Sequence, residues 1–210
     1  AKTRRELFER ATLHVVSHIE SLSNASVQRL DVGAPASPEG VATWEKHNSP
    51  LRLPDDLKSF YASFDGVELR WGVTGSRQAR ETGKAQTVGC IRVNPIGSLT
   101  RVDDPDPRRP GACFALDTSP AATLGIVVLR YAASQPSEPE VWLRSPSHRW
   151  QRLADCFTRY LRLCVMHLGI LGWQAALCGC GEPLPRDVRC WMSLFCPERL
   201  LLDEEARAAE

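Results

Sequence analysis

The sequence lacks a strong excess of charge of either sign. Its 210 residues include 26 Lys and Arg against 25 Asp and Glu, which leaves a formal net charge of +1. A nearly neutral molecule has no overall field that would recruit nucleic acid or an acidic membrane, so we expect neither as a partner. Any electrostatic recognition must therefore arise from local groups of charges.

Long apolar runs are also scarce. The longest, residues 161–177, is interrupted by Arg162, His167 and two glycines, and it is too polar to span a bilayer. Residues 1–7 lack the apolar segment of a secretory signal, so we expect none there. A phosphate-binding loop is not expected either, because the glycines of residues 72–76 are not followed by lysine.

The eight cysteines are scattered rather than regularly spaced. Because 43% of the residues are apolar, the chain can build a core without disulfides, and we expect reduced cytosolic thiols. Four of the cysteines would bind zinc only if their thiolates converged on a tetrahedral site: Cys178, Cys180, Cys190 and Cys196. They contain no Cys-x-x-Cys pair, so structural thiols are favoured and no metal is predicted.

Other candidates for chemistry have simpler explanations. Cys164 and His167 are neighbours on one predicted helix, and we expect His167 to contact the last carbonyls of that helix before Gly169. The carboxylates at 55 and 56 suit the positive end of a helix dipole. The carboxylates of Asp103, Asp104 and Asp106 precede arginines and prolines in a segment that predicts a solvated loop. The sequence therefore predicts no catalytic residue, no cofactor and no enzyme.

Residues 53–71 carry the clearest local pattern of the chain, which is a helix, a cap and a strand. Pro54 suits the first turn of a helix, where its missing N–H costs nothing. The apolar face of that helix recurs at helical spacing, at Leu53, Leu57, Phe60 and Phe64. Asp65-Gly66 supplies a residue that can adopt positive φ and end the helix. Residues 67–73 then alternate in polarity, which predicts a half-buried strand.

The whole chain predicts a single α+β domain over residues 1–210, with a mostly antiparallel sheet. We expect an N-terminal helix at 3–22, a sheet-containing core at about 24–150, a C-terminal helical part at about 150–197 and an acidic tail at 198–210. Within the core, residues 74–86 predict a loop between strands. The six tryptophans are spaced as inward residues of their elements, so most are expected in the core.

Two stretches are locally basic. Residues 144–162 contain five arginines and one acid, a local charge of +4: Arg144, Arg149, Arg152, Arg159 and Arg162 against Asp155. The sequence places Arg152, Arg159 and Arg162 on one face of a long helix beginning at Trp150. Residues 70–92 also sum to +4. These stretches are either solvated faces or a docking surface for an acidic protein, approached by electrostatic steering.

The 53–71 pattern resembles the SUKH superfamily, in which a helix starting at Leu-Pro leads to a cap and an antiparallel sheet. Further motifs are similar to the family of second subunits of tubulin polyglutamylase complexes, over roughly residues 40–195. They include Trp44 before the helix, His167-Leu168-Gly169 with Trp173, and Trp150. The residues that carry the resemblance, expected to be mainly structural, are Trp44, Leu53, Pro54, Phe60, Gly66, Trp71, Trp142, Trp150, His167, Gly169 and Trp173.

This resemblance implies a non-catalytic scaffold that binds other subunits of a microtubule-associated complex, with tubulin or a tubulin glutamylase among the candidate partners. It implies a location at the cytoskeleton, in the cilium, axoneme or centrosomal region. The alternative is a SUKH protein-binding adaptor outside the cytoskeleton. The C-terminal helices favour the first interpretation, because they extend beyond the minimal SUKH module.

Overall fold

The computed structural model describes residues 3–102, 111–118, 125–145, 149–178 and 184–209, with Cys178 described by its backbone alone. The predicted loop with Asp103, Asp104 and Asp106 lies outside the described residues, as does Cys180. None of the helices in the described part of the chain is both long and apolar enough to cross a membrane.

The fold is α+β, as predicted. The helices are α1 (Arg4–Ala11), α2 (Val15–Ser21), α3 (Pro38–His47), α4 (Asp55–Tyr61), α5 (Arg77–Thr82), α6 (Phe157–Met166), α7 (Ala175–Cys178), α8 (Arg186–Phe195) and α9 (Pro197–Ala208). The strands are β1 (Ala25–Val32), β2 (Val67–Val73), β3 (Gln86–Val93), β4 (Arg101–Val102), β5 (Gly111–Asp117), β6 (Ile126–Ala132), β7 (Glu140–Arg144) and β8 (Trp150–Ala154).

The chain divides into two compact units, each made of segments that are distant in sequence. Unit 1 comprises residues 1–31, 68–91 and 162–210, and unit 2 comprises residues 32–67 and 92–161. Unit 1 contains a three-stranded sheet in the order β1-β2-β3. Unit 2 contains a five-stranded sheet in the order β4-β5-β6-β7-β8, and its four strand pairs are antiparallel.

The single helix predicted at 3–22 is wrong, because the chain forms α1 and α2 with a break between them. Leu13 and His14 adopt positive φ at the break. The buried carboxylate of Glu9 explains it: Glu9 accepts hydrogen bonds from the backbone N–H groups of Val16 and Ser17, at 3.1 and 2.8 Å. These N–H groups lie in the first turn of α2, so the acid of one helix caps the next.

The loop predicted at 74–86 contains a short helix, α5. Both ends of α5 carry common helix-capping residues, although the polar composition of the segment predicts a loop. The Ser76 hydroxyl accepts a hydrogen bond from the Ala79 N–H at 3.1 Å, and Gly83 ends the helix with φ of +67°. A serine cap and a terminal glycine are the features expected of a helix of this kind.

The helix predicted to begin at Trp150 is also wrong. Residues Trp150–Ala154 form strand β8, which pairs with β7 so that Trp150 lies opposite Arg144 and Arg152 opposite Trp142. The helix α6 starts only at Phe157. Its first turn is capped from α4, since the Thr158 N–H donates to the Asp56 carboxylate at 2.8 Å. Asp56, predicted as a dipole partner of its own helix, therefore also caps a second one.

The predicted helix and strand at 53–71 are confirmed, but Gly66 does not cap the helix: α4 ends at Tyr61 with Ala62 as a right-handed C-cap, and Gly66 lies in the turn before β2. Pro54 lies at the N-cap, one residue before α4. Gly66 has φ of +83°, and an added Cβ would stand 2.7 Å from the backbone nitrogen of Pro95. The neighbouring Asp65 accepts a hydrogen bond from the Ile96 N–H at 2.7 Å. Gly66 thus meets two requirements, a left-handed backbone and a close approach of two chain segments.

The acidic tail predicted at 198–210 forms the helix α9 over Pro197–Ala208 instead. Leu200 and Asp203 point inward, at 7% and 1% exposure. The acidic composition suggested a solvated end, but one face of the helix is apolar at Leu200 and the buried Asp203 binds cationic partners. The tail is therefore a packed element of unit 1.

Candidate protein-interaction site

The end of α6 is fixed to the sheet of unit 1 by a compact set of contacts. The Trp71 indole N–H donates to the Leu168 carbonyl at 2.7 Å. The Cys90 N–H donates to the Gly169 carbonyl at 2.7 Å, and the Leu171 N–H to the Val88 carbonyl at 2.9 Å. These bonds lay the segment after α6 along the edge of β3. Three residues that carry the family resemblance, His167, Gly169 and Trp71, therefore lie in or next to this junction.

His167 is the centre of a buried polar cluster in unit 1. Its Nδ1 lies 2.7 Å from the Leu163 carbonyl and its Nε2 lies 2.8 Å from Asp203 Oδ2. The atoms that face the two ring nitrogens are a carbonyl oxygen and a carboxylate oxygen, both of which can accept a hydrogen bond. Trp173 stacks on the ring at a centroid distance of 4.5 Å. The predicted contact of His167 with a helix-end carbonyl is confirmed, while Asp203 was not anticipated.

Asp203 also accepts a hydrogen bond from the Arg199 guanidinium, one turn earlier in α9. Burial acts to raise the pKa of Asp203, but the hydrogen bonds from His167 and Arg199 outweigh it and hold this pKa below its usual value. A carboxylate whose pKa is lowered in this way stays charged at neutral pH. The cluster is thus a buried, hydrogen-bonded ion group that ties α9 to the end of α6.

An apolar groove of about 590 Å³ lies on unit 1, with α8 along one side. It is lined by Trp191, Leu194 and Phe195 from α8 and by residues of other segments, which are Leu22, Ser23, Asn24, Val73, Gly75 and Ser76. Val188 and Met192 face the core. Trp191, one of the tryptophans expected in the core, is only half-buried, as is Phe195.

Part of the second basic stretch, residues 70–92, borders this groove. Gly75 and Ser76 line it and lead directly into α5. The Arg80 guanidinium donates to the Gly75 carbonyl at 3.1 Å. Within the same helix, Arg77 pairs with Glu81 at 2.7 Å. Cationic side chains therefore stand next to an apolar and aromatic surface.

The five arginines of the predicted acidic-partner surface do not share one helix. Arg152 lies on β8 and pairs with Glu140 at 2.9 Å, and Arg159 on α6 pairs with Asp155 at 2.7 Å. Arg144 is half-buried on β7, whereas Arg149 and Arg162 are exposed. Arg162 belongs to unit 1 and the other four to unit 2. The single basic helix face that the sequence indicated is therefore wrong.

A second cavity, of about 720 Å³, lies on unit 2. Its charged lining is balanced, with three cations and three anions: Arg52, Lys58, Arg159, Asp55, Glu138 and Asp155. Beside it, Glu45 on α3 accepts from Arg52 and Lys58, at 2.8 and 3.0 Å, and from the Leu53 N–H at 3.1 Å. Glu45 thereby holds the chain leading into α4.

Replacing Glu45 by glutamine is expected to lower the free energy of unfolding at neutral pH by about 1–2 kcal/mol. Burial acts to raise the pKa of Glu45, but hydrogen bonds from Arg52, Lys58 and Leu53 outweigh it and lower this pKa. Its stabilising contribution is therefore present above the carboxyl pKa of the unfolded chain, near 4.3, and is lost as pH falls through the lower folded value.

Urea denaturation of both proteins, at neutral pH and near pH 3, measures this difference. The gap between native and E45Q should shrink in acid. The control is Glu39→Gln at the exposed start of the same helix, which should cost less than about 1 kcal/mol. A pH-independent gap would contradict the assignment of Glu45 as the titrating group.

The remaining residues of the family resemblance are mostly core. Trp44, Leu53, Phe60, Trp142 and Trp173 are each less than 10% exposed, and Trp150 is half-buried. The Trp44 indole donates to the Leu99 carbonyl at 3.3 Å and its ring meets Phe114 edge-on at 4.8 Å. These positions agree with a structural role.

Of the four cysteines considered for zinc, the structure places two side chains, Cys190 and Cys196. Cys190 is exposed on α8 and Cys196 is half-buried between α8 and α9. Burial and the nearby Asp203 raise the pKa of the Cys196 thiol to about 12. A protonated thiol is a poor metal ligand. Within the described residues no group of three or more His, Cys, Asp and Glu is placed to hold a metal.

Comparison with known proteins finds the same relative in three mammalian species. The chain is similar to tubulin polyglutamylase complex subunit 2. It is 24% identical to the Homo sapiens protein over 221 residues, which cover 90% of this chain and 70% of that one. The Rattus norvegicus protein is 24% identical over 90% and 71% of the two chains, and the Mus musculus protein is 25% identical over 94% and 75%. No protein-family model and no solved structure matches the chain.

Proposed function

We propose that this chain is a non-catalytic, protein-binding subunit of a tubulin-modifying complex at microtubules. The complex would be a tubulin polyglutamylase complex, as in the names of the mammalian relatives. The observation that carries the proposal is the similarity to tubulin polyglutamylase complex subunit 2 over at least 90% of the chain in three species. Because that coverage is nearly complete, the likeness includes both units. The complex would place the chain at the cytoskeleton, in cilia, axonemes or the centrosomal region.

The non-catalytic role is supported by how the buried titratable groups are used. Both nitrogens of His167 are engaged by Leu163 and Asp203, and the Glu9 carboxylate caps a helix. Such groups hold elements together and leave no ring nitrogen to transfer a proton to a substrate. Their role is to stabilise the contacts between elements of the fold.

The part of the arginine-rich stretch that lies in unit 2, residues 144–161, is the proposed contact for an acidic partner such as a glutamate-bearing tubulin tail. Its exposed arginines are Arg149, Arg152 and Arg159, and Arg152 and Arg159 pair with Glu140 and Asp155. Exposed arginines of this kind would act chiefly on the rate of association and on its salt dependence.

Affinity purification of the tagged full chain from ciliated cells tests the proposal. Tubulin, polyglutamylase activity and further complex subunits should be enriched with it. The R149E/R152E variant should retain the complex subunits and lose tubulin, with a loss that is larger at low salt. The chain purified alone should not glutamylate tubulin.

The proposal would be contradicted if the chain recovered no tubulin, no glutamylase and no axonemal protein. Recovery of partners outside the cytoskeleton would favour the general adaptor instead. Glutamylation of tubulin by the isolated chain would overturn the non-catalytic role.

A further inference from the structure

We propose that the groove beside α8 of unit 1 binds a peptide segment of a protein partner that combines apolar and acidic residues. A large apolar side chain of that segment would lie against Trp191 and Leu194, and an acidic side chain would pair with Arg80. This inference rests on the proposed function as a binding subunit and specifies the surface and the chemistry of the partner.

The apolar half of the groove is a rigid aromatic wall. Phe195 meets the buried Trp71 edge-on at 5.1 Å, and Trp191 stacks on Phe195 at 6.0 Å with an angle of 19° between the rings. This column runs from the core to the surface, so Trp191 is already held in place before a ligand arrives. A preorganised aromatic side chain loses little entropy on binding, which is the usual property of an interface hot spot.

Leu194 adds exposed apolar surface to this wall. Its side chain is 66% exposed although it lines the groove. All six large apolar side chains that are exposed among the described residues belong to unit 1, namely Leu7, Leu13, Met166, Leu194, Leu201 and Leu202. Exposed apolar surface next to polar residues marks interaction sites on soluble proteins. Leu194 is the member of this set that the groove includes.

The basic half determines which apolar segment fits. Residues 77–84 contain Arg77, Arg80 and Lys84 against Glu81, a local charge of +2. Glu81 is engaged by Arg77, so it competes little for Arg80. Arg80 donates one hydrogen bond to the Gly75 carbonyl on the lining. A guanidinium has five N–H donors, so Arg80 retains donors for a carboxylate of the ligand.

The size of the groove favours a short peptide segment. Its volume of about 590 Å³ lies within the range of pockets that enclose small ligands, roughly 300–1,000 Å³. It can seat a few side chains rather than a folded domain. Apolar anchors flanked by acidic residues match both halves of the surface, whereas a wholly charged ligand would leave Trp191 and Leu194 in contact with water.

Two synthetic peptides test the assignment against the full chain. One is a fluorescently labelled peptide of alternating leucine and glutamate, and its matched control has lysine in place of glutamate. Fluorescence anisotropy at low salt should show the acidic peptide binding about tenfold more tightly than the basic one. The preference should fall as salt is added, because surface ion pairs are screened.

Three variants locate the binding. Leu194→Glu and Arg80→Glu should each weaken the acidic peptide by about tenfold. The control is Leu202→Glu, which changes a leucine that is 53% exposed on α9. Its affinity for the acidic peptide should be within about twofold of that of the native chain. Circular dichroism and melting temperature check that all three variants are folded. Both test positions are exposed in the structure, so folding is expected to be retained.

Several outcomes would overturn the inference. They are equal binding of the two peptides, unchanged affinity of both groove variants, or no saturable binding up to about 1 mM. Sedimentation that shows a native dimer, separated by Leu194→Glu, would make the groove an interface between copies of this chain and would equally reject it.

The result is separable from the proposed function. If the native chain recovers tubulin and glutamylase but neither peptide binds, the groove inference fails alone. If the acidic peptide binds as expected and the chain recovers no microtubule component, the proposed function fails and the groove stands.

Discussion

Replacing Asp203 by alanine is expected to lower the free energy of unfolding by about 3–5 kcal/mol, because it removes one partner of a buried ion pair. His167 is fully buried and Asp203 is 1% exposed. Without the carboxylate, His167 Nε2 and the Arg199 guanidinium lose their common partner, and Nε2 is left buried without a hydrogen bond. The end of α6 and α9 then lose their shared polar contact.

Thermal and urea denaturation measure this loss, and for a chain of this length it corresponds to a decrease in melting temperature of about 6–20 °C. The control is Glu204→Ala, the next residue of α9, which removes an exposed pair with Arg189 and should cost less than about 1 kcal/mol. If the two variants lost equal free energy of unfolding, the buried cluster would stabilise the fold no more than an exposed ion pair does.

The pH dependence provides a second readout. Since the pKa of Asp203 is lowered in the folded chain, its contribution is complete above the unfolded value near 3.9 and is lost as pH falls through the lower folded value. Asp203→Asn should therefore flatten the acid side of the stability profile. A profile with an unchanged acid side would mean that Asp203 is not ionised in the native protein.

The parts of the fold that the sequence predicted are those whose signals are local. The helix and strand of 53–71 and the positive φ of Gly66 were predictable because the glycine and the apolar spacing act within a few residues. The helix α5 carried equally local signals at Ser76 and Gly83. The polar composition of residues 74–86 nevertheless predicts a loop, because it has no apolar periodicity to indicate a helix.

The errors concern segments whose state depends on distant partners. Residues 150–154 become a strand because β7 supplies a pairing edge, and α6 begins after them because Asp56, 102 residues from Thr158, caps its first turn. The break between α1 and α2 likewise depends on the position of the Glu9 side chain. Periodicity alone contains no information about such contacts.

The same limit applies to the candidate site. The sequence identified His167 but could not show which carboxylate it meets, since Asp203 lies 36 residues later beside Glu204 and Glu205. A recognisable signal was present: Leu200 and Asp203 are three residues apart and so share a face of α9. The groove was missed because Trp191 was assigned to the core, although apolar residues at 191, 192, 194 and 195 form a stripe wider than one buried face requires.

Glycine 169 connects the His167 cluster to the sheet, and its substitution tests that junction directly. It has φ of +61°, and an added Cβ would lie 2.6 Å from the Cys90 carbonyl oxygen and 2.6 Å from Ile91 Cγ1. Gly83 has nearly the same φ, +67°, but nothing lies within 4 Å of its added Cβ. The two positions therefore share the backbone requirement and differ in the space available.

Gly169→Ala is expected to lower the free energy of unfolding by about 2–5 kcal/mol, and Gly83→Ala by about 1–2 kcal/mol. Both substitutions place alanine in a left-handed conformation, and only the first also forces the backbone of β3 away. Faster hydrogen exchange at the Cys90 and Leu171 amides, which bond across this junction, should accompany the first substitution alone. Equal losses at the two glycines would mean that the segment after α6 can move away from β3 without cost. In that case the Leu168 carbonyl could not be the fixed acceptor that holds Trp71, and through Trp71 the aromatic wall of Phe195 and Trp191.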